Sequence, residues 1–308
     1  MHATRAAAHW TPADIGDLTG RTALITGGSG GIGLETARVL AGHGAHLVLA
    51  GRSPEKLEHA AAELRAAHPG AAPDTLVVDL GSLASIAGAT APLAAEGTVD
   101  LLFNNAGVMN VPERRTTADG FELTFGTNHL GHFALTAGLL PALLRAPAAR
   151  VVTVSAIAAT WRSGRLTDLM SETGYRPMGA YAKSKRANVV FTLELARRLA
   201  DTPVTAVSVH PGAAITDLQR HTGGPLGRAF TTVAEHLLMG SPEGAARPSL
   251  YAATAPGVAS GAFLGPAGRD QTSGTPRTVA LPRGADDPAE GRLLWEESER
   301  LTGVRFTP

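Results

Sequence analysis

Tyr181 and Lys185 stand four residues apart in the pentapeptide YAKSK, a spacing that places two side chains on one face of a helix, one turn apart. A free tyrosine, with a pKa near ~10, exchanges protons poorly at neutral pH. An ammonium group one turn away stabilises the phenolate, and lowering that pKa by about two or three units corresponds to roughly 3–4 kcal/mol. The same pair on an exposed helix would stabilise it only by a few tenths of a kcal/mol, so the spacing alone leaves both readings open. Lysine occurs only three times in the chain, at 56, 183 and 185. Lys183, pointing away from Tyr181, reads as solvated surface.

A second cluster opens the chain. TGGSGGIG, Thr26 to Gly33, follows an apolar run directly and leads into a helical pattern. Glycines at such a turn let backbone N–H groups approach a pyrophosphate, and the helix N-terminus adds partial positive charge. A merely tight turn is the plainer alternative. About twenty residues on, an NAD site wants an acidic side chain for the ribose 2′-hydroxyl; here the chain reads Ala50-Gly51-Arg52-Ser53. A guanidinium can fork onto a 2′-phosphate and a serine can donate to it, which favours NADP(H) over NAD(H). Asp79 in VVDL can meet an adenine amino group or cap the following helix. NNAG, Asn104 to Gly107, follows a later apolar run, where Asn104 can tie strands together.

These residues need a frame. Short Val/Leu/Ile runs at Thr22–Thr26, His46–Ala50, Thr75–Val78, Asp100–Phe103, Arg150–Ser155, Val204–His210 and Ala262–Leu264 alternate with helical patterns near 31–43, 54–67, 82–95, 120–144 and 179–200. Strands and helices that alternate through most of the chain imply a parallel sheet covered on both faces. The expectation is one α/β domain, a Rossmann-type doubly wound sheet of about seven strands in the order 3-2-1-4-5-6-7, spanning residues 20–308 behind an N-terminal extension, 1–19. Segments 160–178, 215–243 and 265–287 break the pattern and are candidate walls of a substrate site, because binding residues gather beyond the carboxyl ends of parallel strands. The stretch 288–301 reads as an amphipathic helix packed on the core.

Composition excludes several classes. Of 308 residues 44% are hydrophobic and 18% charged, with 27 basic residues against 27 acidic. Zero net charge without a basic run gives no footprint for nucleic acid or an anionic membrane surface, which points to a small-molecule partner. With no cysteine, thiolate catalysis and cysteine-ligated metals are excluded. The histidine pairs 43/46 and 129/132 lack carboxylates at ligand spacing, so no metal site is expected, and His129 and His132 read as packing residues. No signal-peptide core and no apolar run of about eighteen residues is present, and the chain reads as cytoplasmic.

Taken in order, TGGSGGIG, NNAG, Asn128 in TNHLGHF, YAKSK and HPGAAIT resemble the successive motifs of the short-chain dehydrogenase/reductases, over about Leu18 to Leu264. AKSKRANVVFTLELARRL is similar to the retinol dehydrogenase-like branch. The resemblance implies hydride transfer between a nicotinamide and a carbonyl or alcohol, with Tyr181 as general acid or base and Lys185 and Asn128 in a proton relay. It implies cofactor contacts from Gly27, Ser29, Gly31, Ile32, Gly33, Arg52, Asp79, Leu80, Asn105, Ala106, Gly107, Tyr181, Lys185, Pro211, Gly212, Ile215 and Thr216, and assembly as a homodimer or homotetramer.

One position departs from the pattern. Relatives end the strand before the tyrosine Val-Ser-Ser and use the second serine on the substrate oxygen; here Val154-Ser155-Ala156 puts alanine there. Successive strand residues face opposite ways, so Ser155 substitutes only through a one-residue shift or bulge. Three readings follow. The chain is a working reductase in which Thr153, Thr160 or the substrate compensates; it is a non-redox isomerase, dehydratase or cyclase using Tyr181 and Lys185; or it is an idle nucleotide-binding protein. Trp161 and Arg162 stand at the mouth of the first variable segment.

Overall fold

The computed structural model describes residues 10–161, 165–212, 241–268 and 271–306. Its centre is an eight-stranded sheet in the order β3-β2-β1-β4-β5-β6-β7-β8. The strands are β1 Thr22–Thr26, β2 His46–Gly51, β3 Asp74–Val77, β4 Leu101–Asn104, β5 Arg150–Val154, β6 Thr205–Val209, β7 Phe263–Pro266 and β8 Pro276–Thr278. The first seven run parallel. Their apolar runs are nearly continuous because both faces are covered. Leu24, Leu102 and Val151 face one core with Phe133, Phe191 and Trp295. Ile25, Phe103 and Val152 face the other with Leu40, Leu57 and Leu250.

The helices that cover these faces are α1 Gly31–Gly42, α2 Pro54–Ala67, α3 Leu83–Glu96, α4 Gly131–Arg145, α5 Pro177–Arg198, α6 Pro242–Thr254 and α7 Pro288–Thr302. Their starts carry local signals: Ser53, Ser82, Ser241 and Asp287 each accept a backbone N–H from the first turn. Proline follows three of these caps, where its fixed φ suits the first helical position and its missing N–H costs nothing.

The structure corrects the sequence reading in three places. The sheet has eight strands, because the segment 265–287 contains β8, antiparallel to β7 with Leu264 opposite Thr278. A three-residue strand with proline first and Arg277 and Thr278 exposed has no apolar run to betray it. The helix expected over 120–144 is broken. Glu122 caps a short turn, Leu123–Phe125, a π-helical turn occupies Gly126–Leu130, and only then does α4 begin. Finally, α6 had no counterpart in the periodicity reading. Within the segment 1–19, Trp10, Ile15 and Leu18 are buried, and Trp10 meets Tyr251 of α6 edge-to-face at 5.3 Å between ring centroids. No helix among the described residues is long and apolar enough to cross a membrane.

Candidate active site

The site is built where β1, β4 and β5 end. Leaving β1, the chain turns through Gly27, at φ 68°, and Gly31, at φ 53°, both in the left-handed region that favours glycine. A Cβ at Gly33 would collide with the carbonyl oxygen of Gly27, so the third glycine is required by the folding of the turn onto its own helix. Thr26 ties this turn to the end of β4. Its Oγ1 accepts from the N–H groups of Asn105 and Ala106 at 2.9 and 3.0 Å, and Asn105 Nδ2 donates to Thr26 O at 2.8 Å. Asn104 Nδ2 donates to Thr136 Oγ1 of α4 at 2.9 Å and, at 3.5 Å, to Thr153 Oγ1 of the neighbouring strand β5, so its side chain ties β4 chiefly to a helix.

Beside the turn lies a cavity of about 220 Å³ lined by Gly27, Ser29, Arg52, Ser53, Asp79 and Leu80, and extending to Ala106 and Gly107. Residues drawn from separate stretches of sequence therefore meet in one place. Lys56 lines it too. Sequence reasoning missed this lysine, although it lies one helical turn beyond Arg52 and is one of only three in the chain. Asp79 uses one carboxylate oxygen on the N–H of Gly81, at 2.9 Å, while Ser82 supplies the cap of α3. The glycine cradle, two cations and a carboxylate fit the adenosine and phosphate end of a nicotinamide dinucleotide.

Asn128 sits in the π-helical turn, fully buried. Its Oδ1 accepts from Val108 N–H at 2.7 Å, and its Nδ2 donates to Val108 O at 2.9 Å and Ser184 Oγ at 3.0 Å. Its side chain thus clamps the strand exit to α5. Behind it, His132 Nδ1 lies 3.0 Å from Asn128 O, and Nε2 lies 2.9 Å from Thr26 Oγ1. A carbonyl only accepts, so Nδ1 carries the proton. Burial holds the His132 pKa down at about 4, which leaves the ring neutral near pH 7. His129 is buried among Phe125, Phe133 and Phe191, with Nε2 3.0 Å from Ser298 Oγ. Both histidines pack the core, and no cluster of metal-ligating side chains occurs among the described residues.

Tyr181 and Lys185 lie on the same face of α5, with Lys185 Nζ 5.8 Å from the centre of the Tyr181 ring. The tyrosine is packed among Ala158, Ala182, Met109, Ala156 and Met178. Burial in this apolar pocket pushes the phenol pKa up and drives the Lys185 ammonium down, to about 8. Lys185 Nζ donates to Val154 O at 2.9 Å. A Cβ at Gly107 would lie 3.0 Å from Asn128 Oδ1 and 3.6 Å from Lys185 Nζ, so the end of the NNAG loop closes directly over these two side chains.

At the end of β5 the side chains alternate as a strand dictates. Ser155 points into the protein, 1% exposed, with Oγ donating to Lys185 O at 2.7 Å. Ala156, partly buried, packs against the apolar cluster that contains Tyr181, Ala158 and Ala182. The structure therefore brings Tyr181, Lys185, Asn128 and Ala156 together and turns the Ser155 hydroxyl away. Thr153 is buried against Asn104, and Thr160 donates its hydroxyl to Ile157 O at 2.8 Å. Trp161 is exposed. Pro211 and Gly212 follow β6, and Gly212, at φ 80°, abuts the carbonyl of Thr272. Ile215, Thr216, most of the segment 215–243, and Arg162 lie outside the described residues.

This geometry agrees with the comparisons. A family model described as short chain dehydrogenase matches residues 21–224. The chain belongs to the short-chain dehydrogenase family. Human retinol dehydrogenase 13 is 41% identical over 295 residues, covering 93% of this chain and 86% of that protein. Human retinol dehydrogenase 12 is also 41% identical, covering 94% and 88%. Among solved structures, an uncharacterized protein from Mycobacterium paratuberculosis superposes with a TM-score of 0.78 at 37% identity, covering 97% of this chain and 99% of that one. The Pseudomonas aeruginosa RhlG/NADP active-site complex superposes with a TM-score of 0.64 at 26% identity, over 80% and 94%. This short-chain dehydrogenase is accordingly an oxidoreductase with a nicotinamide-binding fold, and its eighth, antiparallel strand closes the edge of the sheet.

Proposed function

We propose that this enzyme is an NADP(H)-dependent oxidoreductase that interconverts a carbonyl and an alcohol on a small organic substrate. The observation that carries this reading is the placement of Tyr181 and Lys185 one turn apart on α5, with Lys185 Nζ 5.8 Å from the centre of the Tyr181 ring and alanine and methionine side chains on the apolar side of the tyrosine. In reduction, Tyr181 gives its hydroxyl proton to the carbonyl oxygen; in oxidation, it takes the proton of the alcohol. The bound nicotinamide supplies or accepts the hydride. Lys185 holds positive charge beside the phenolate, opposing the burial that would otherwise keep the phenol protonated. Asn128 and Gly107 fix the loop that faces this pair. Met109 and Met178 supply part of the apolar surface on the side of the tyrosine.

Arg52 and Lys56 support NADP(H) over NAD(H), since two cations at one end of the cavity suit the extra phosphate. The enzyme is expected to act in the cytoplasm without a membrane or nucleic-acid partner, and as a homodimer or homotetramer. Retinaldehyde and retinol, suggested by the names of the relatives, head the substrates to assay, followed by other aldehydes and ketones.

The test supplies NADPH deuterated at one or the other prochiral C4 position and analyses products by mass spectrometry. Deuterium arriving from one labelled face, and lost in Tyr181→Phe, supports the reading. A product of unchanged mass, or one lacking water, refutes it.

A further inference from the structure

Lys183 is not the solvated surface residue that its sequence position suggests: it is 5% exposed. Its Nζ donates to the carbonyl oxygen of Asp168 and to Ser171 Oγ, the latter at 3.1 Å. The same segment is gripped elsewhere. Leu166 N–H donates to Glu290 Oε1 at 3.0 Å, and that carboxylate, itself buried, receives Arg186 Nη2 at 3.0 Å. Arg114 Nε also donates to Met170 O at 3.0 Å. Within the segment Asp168, at φ 44°, and Ser171, at φ 50°, adopt left-handed backbone conformations that are uncommon for non-glycine residues.

This stretch emerges from the carboxyl end of β5 and returns to the fold at Pro177, immediately before Met178, which packs against the apolar cluster that contains Tyr181. In a parallel sheet this is where substrates enter. A lysine two residues from the tyrosine, buried at the cost of its hydration and spent on a loop, is costly unless the loop's position matters.

We propose that Lys183 is a positioning residue. It locks residues 166–171 onto the tyrosine helix, so that the substrate-facing wall is already built before substrate arrives, and it thereby sets substrate affinity while leaving the chemical step alone. The kinetic part of this inference rests on the oxidoreductase reading above; the structural part does not. The two lysines of YAKSK then have separate tasks, Lys185 toward the reacting groups and Lys183 toward the loop.

Full-length wild type, Lys183→Met, Lys183→Arg and Ser171→Ala are compared by backbone hydrogen exchange and by kinetics with NADPH and the best carbonyl substrate. In Lys183→Met the amides of residues 166–173 exchange about tenfold faster or more, while those of β5 and the middle of α5 are unchanged. KM rises about tenfold with kcat within about threefold, and Lys183→Arg recovers part of both effects. Ser171→Ala, which removes one acceptor, moves exchange in the same direction by less. Unchanged exchange in residues 166–173, or a fall in kcat at constant KM, overturns the proposal. If Lys183→Met does not fold, the Ser171→Ala and Lys183→Arg exchange rates decide in its place. If wild type reduces no carbonyl, the oxidoreductase reading fails while the exchange data still judge the anchor.

Discussion

Ala156→Ser tests the catalytic geometry most directly. The backbone at this residue is extended, φ −155° and ψ 163°, a conformation serine adopts freely, and the side chain already touches the Tyr181 pocket. A hydroxyl placed there would add a second donor to the oxygen on which charge develops, beside the Tyr181 hydroxyl. A positioned donor of this kind is worth about 10²–10³ in rate, roughly 3–4 kcal/mol, which bounds the gain in kcat for carbonyl reduction. The site is partly exposed, so the effect on stability stays within about 0.5 kcal/mol. Ser155→Ala is the matched control. It removes the hydrogen bond to Lys185 O and should cost about 1 kcal/mol of stability while changing kcat only a few-fold. Both variants are assayed by steady-state NADPH oxidation and by urea denaturation. A folded Ala156→Ser enzyme with unchanged kcat would mean that charge on the substrate oxygen is already fully met. A hundredfold loss in Ser155→Ala would refute the assignment of faces at the end of β5.

Three further outcomes follow from the same geometry. Removing both cations at the adenosine end, in Arg52→Ala/Lys56→Ala, should weaken NADPH binding by about 10–100-fold, because the 2′-phosphate then has no charge-assisted hydrogen bond from either side chain. NADH binding should stay within about threefold by nucleotide fluorescence titration, and an equal loss for both cofactors would contradict the 2′-phosphate assignment. Gly33→Ala should abolish measurable binding of either nucleotide, or prevent accumulation of folded protein, because its Cβ meets the Gly27 carbonyl; retained affinity in a folded variant would show that the turn can open. His129 and His132, held down at about 3 and about 4 against an ordinary 6.5, bind no proton in the folded state where the unfolded chain binds one. Their contribution is complete above pH 6.5 and shrinks as pH falls, by roughly 2 kcal/mol each at pH 5. Urea midpoints at pH 7 and pH 5 should therefore converge by about half that total in His129→Gln, and an unaltered pH difference would exclude His129 as a source.

Much of this enzyme was legible without coordinates because its signals are local. A glycine turn between strand and helix, an i, i+4 pair, and apolar runs that alternate with helical patterns are written in contiguous residues, and they suffice for the parallel sheet and the pairing of Tyr181 with Lys185. The local signal also led astray where the outcome depended on distant partners. Lys183 is polar and adjacent to a functional motif, which reads as exposed; it is buried because Asp168 and Ser171, brought back by a loop, offer it acceptors. Arg186, which no sequence signal singles out, is likewise desolvated against Glu290, 104 residues further along. The three residues of β8 form a strand only because β7 presents an edge to pair with. Alternation along β5 and the alanine at 156 could be stated from sequence, but that the Ser155 hydroxyl ends on Lys185 O is decided by the position of α5 over the strand end. Covalent neighbours fix backbone conformation and side-chain periodicity; the burial of a charge and the direction of a hydroxyl are fixed by groups that only the fold brings within a few ångströms.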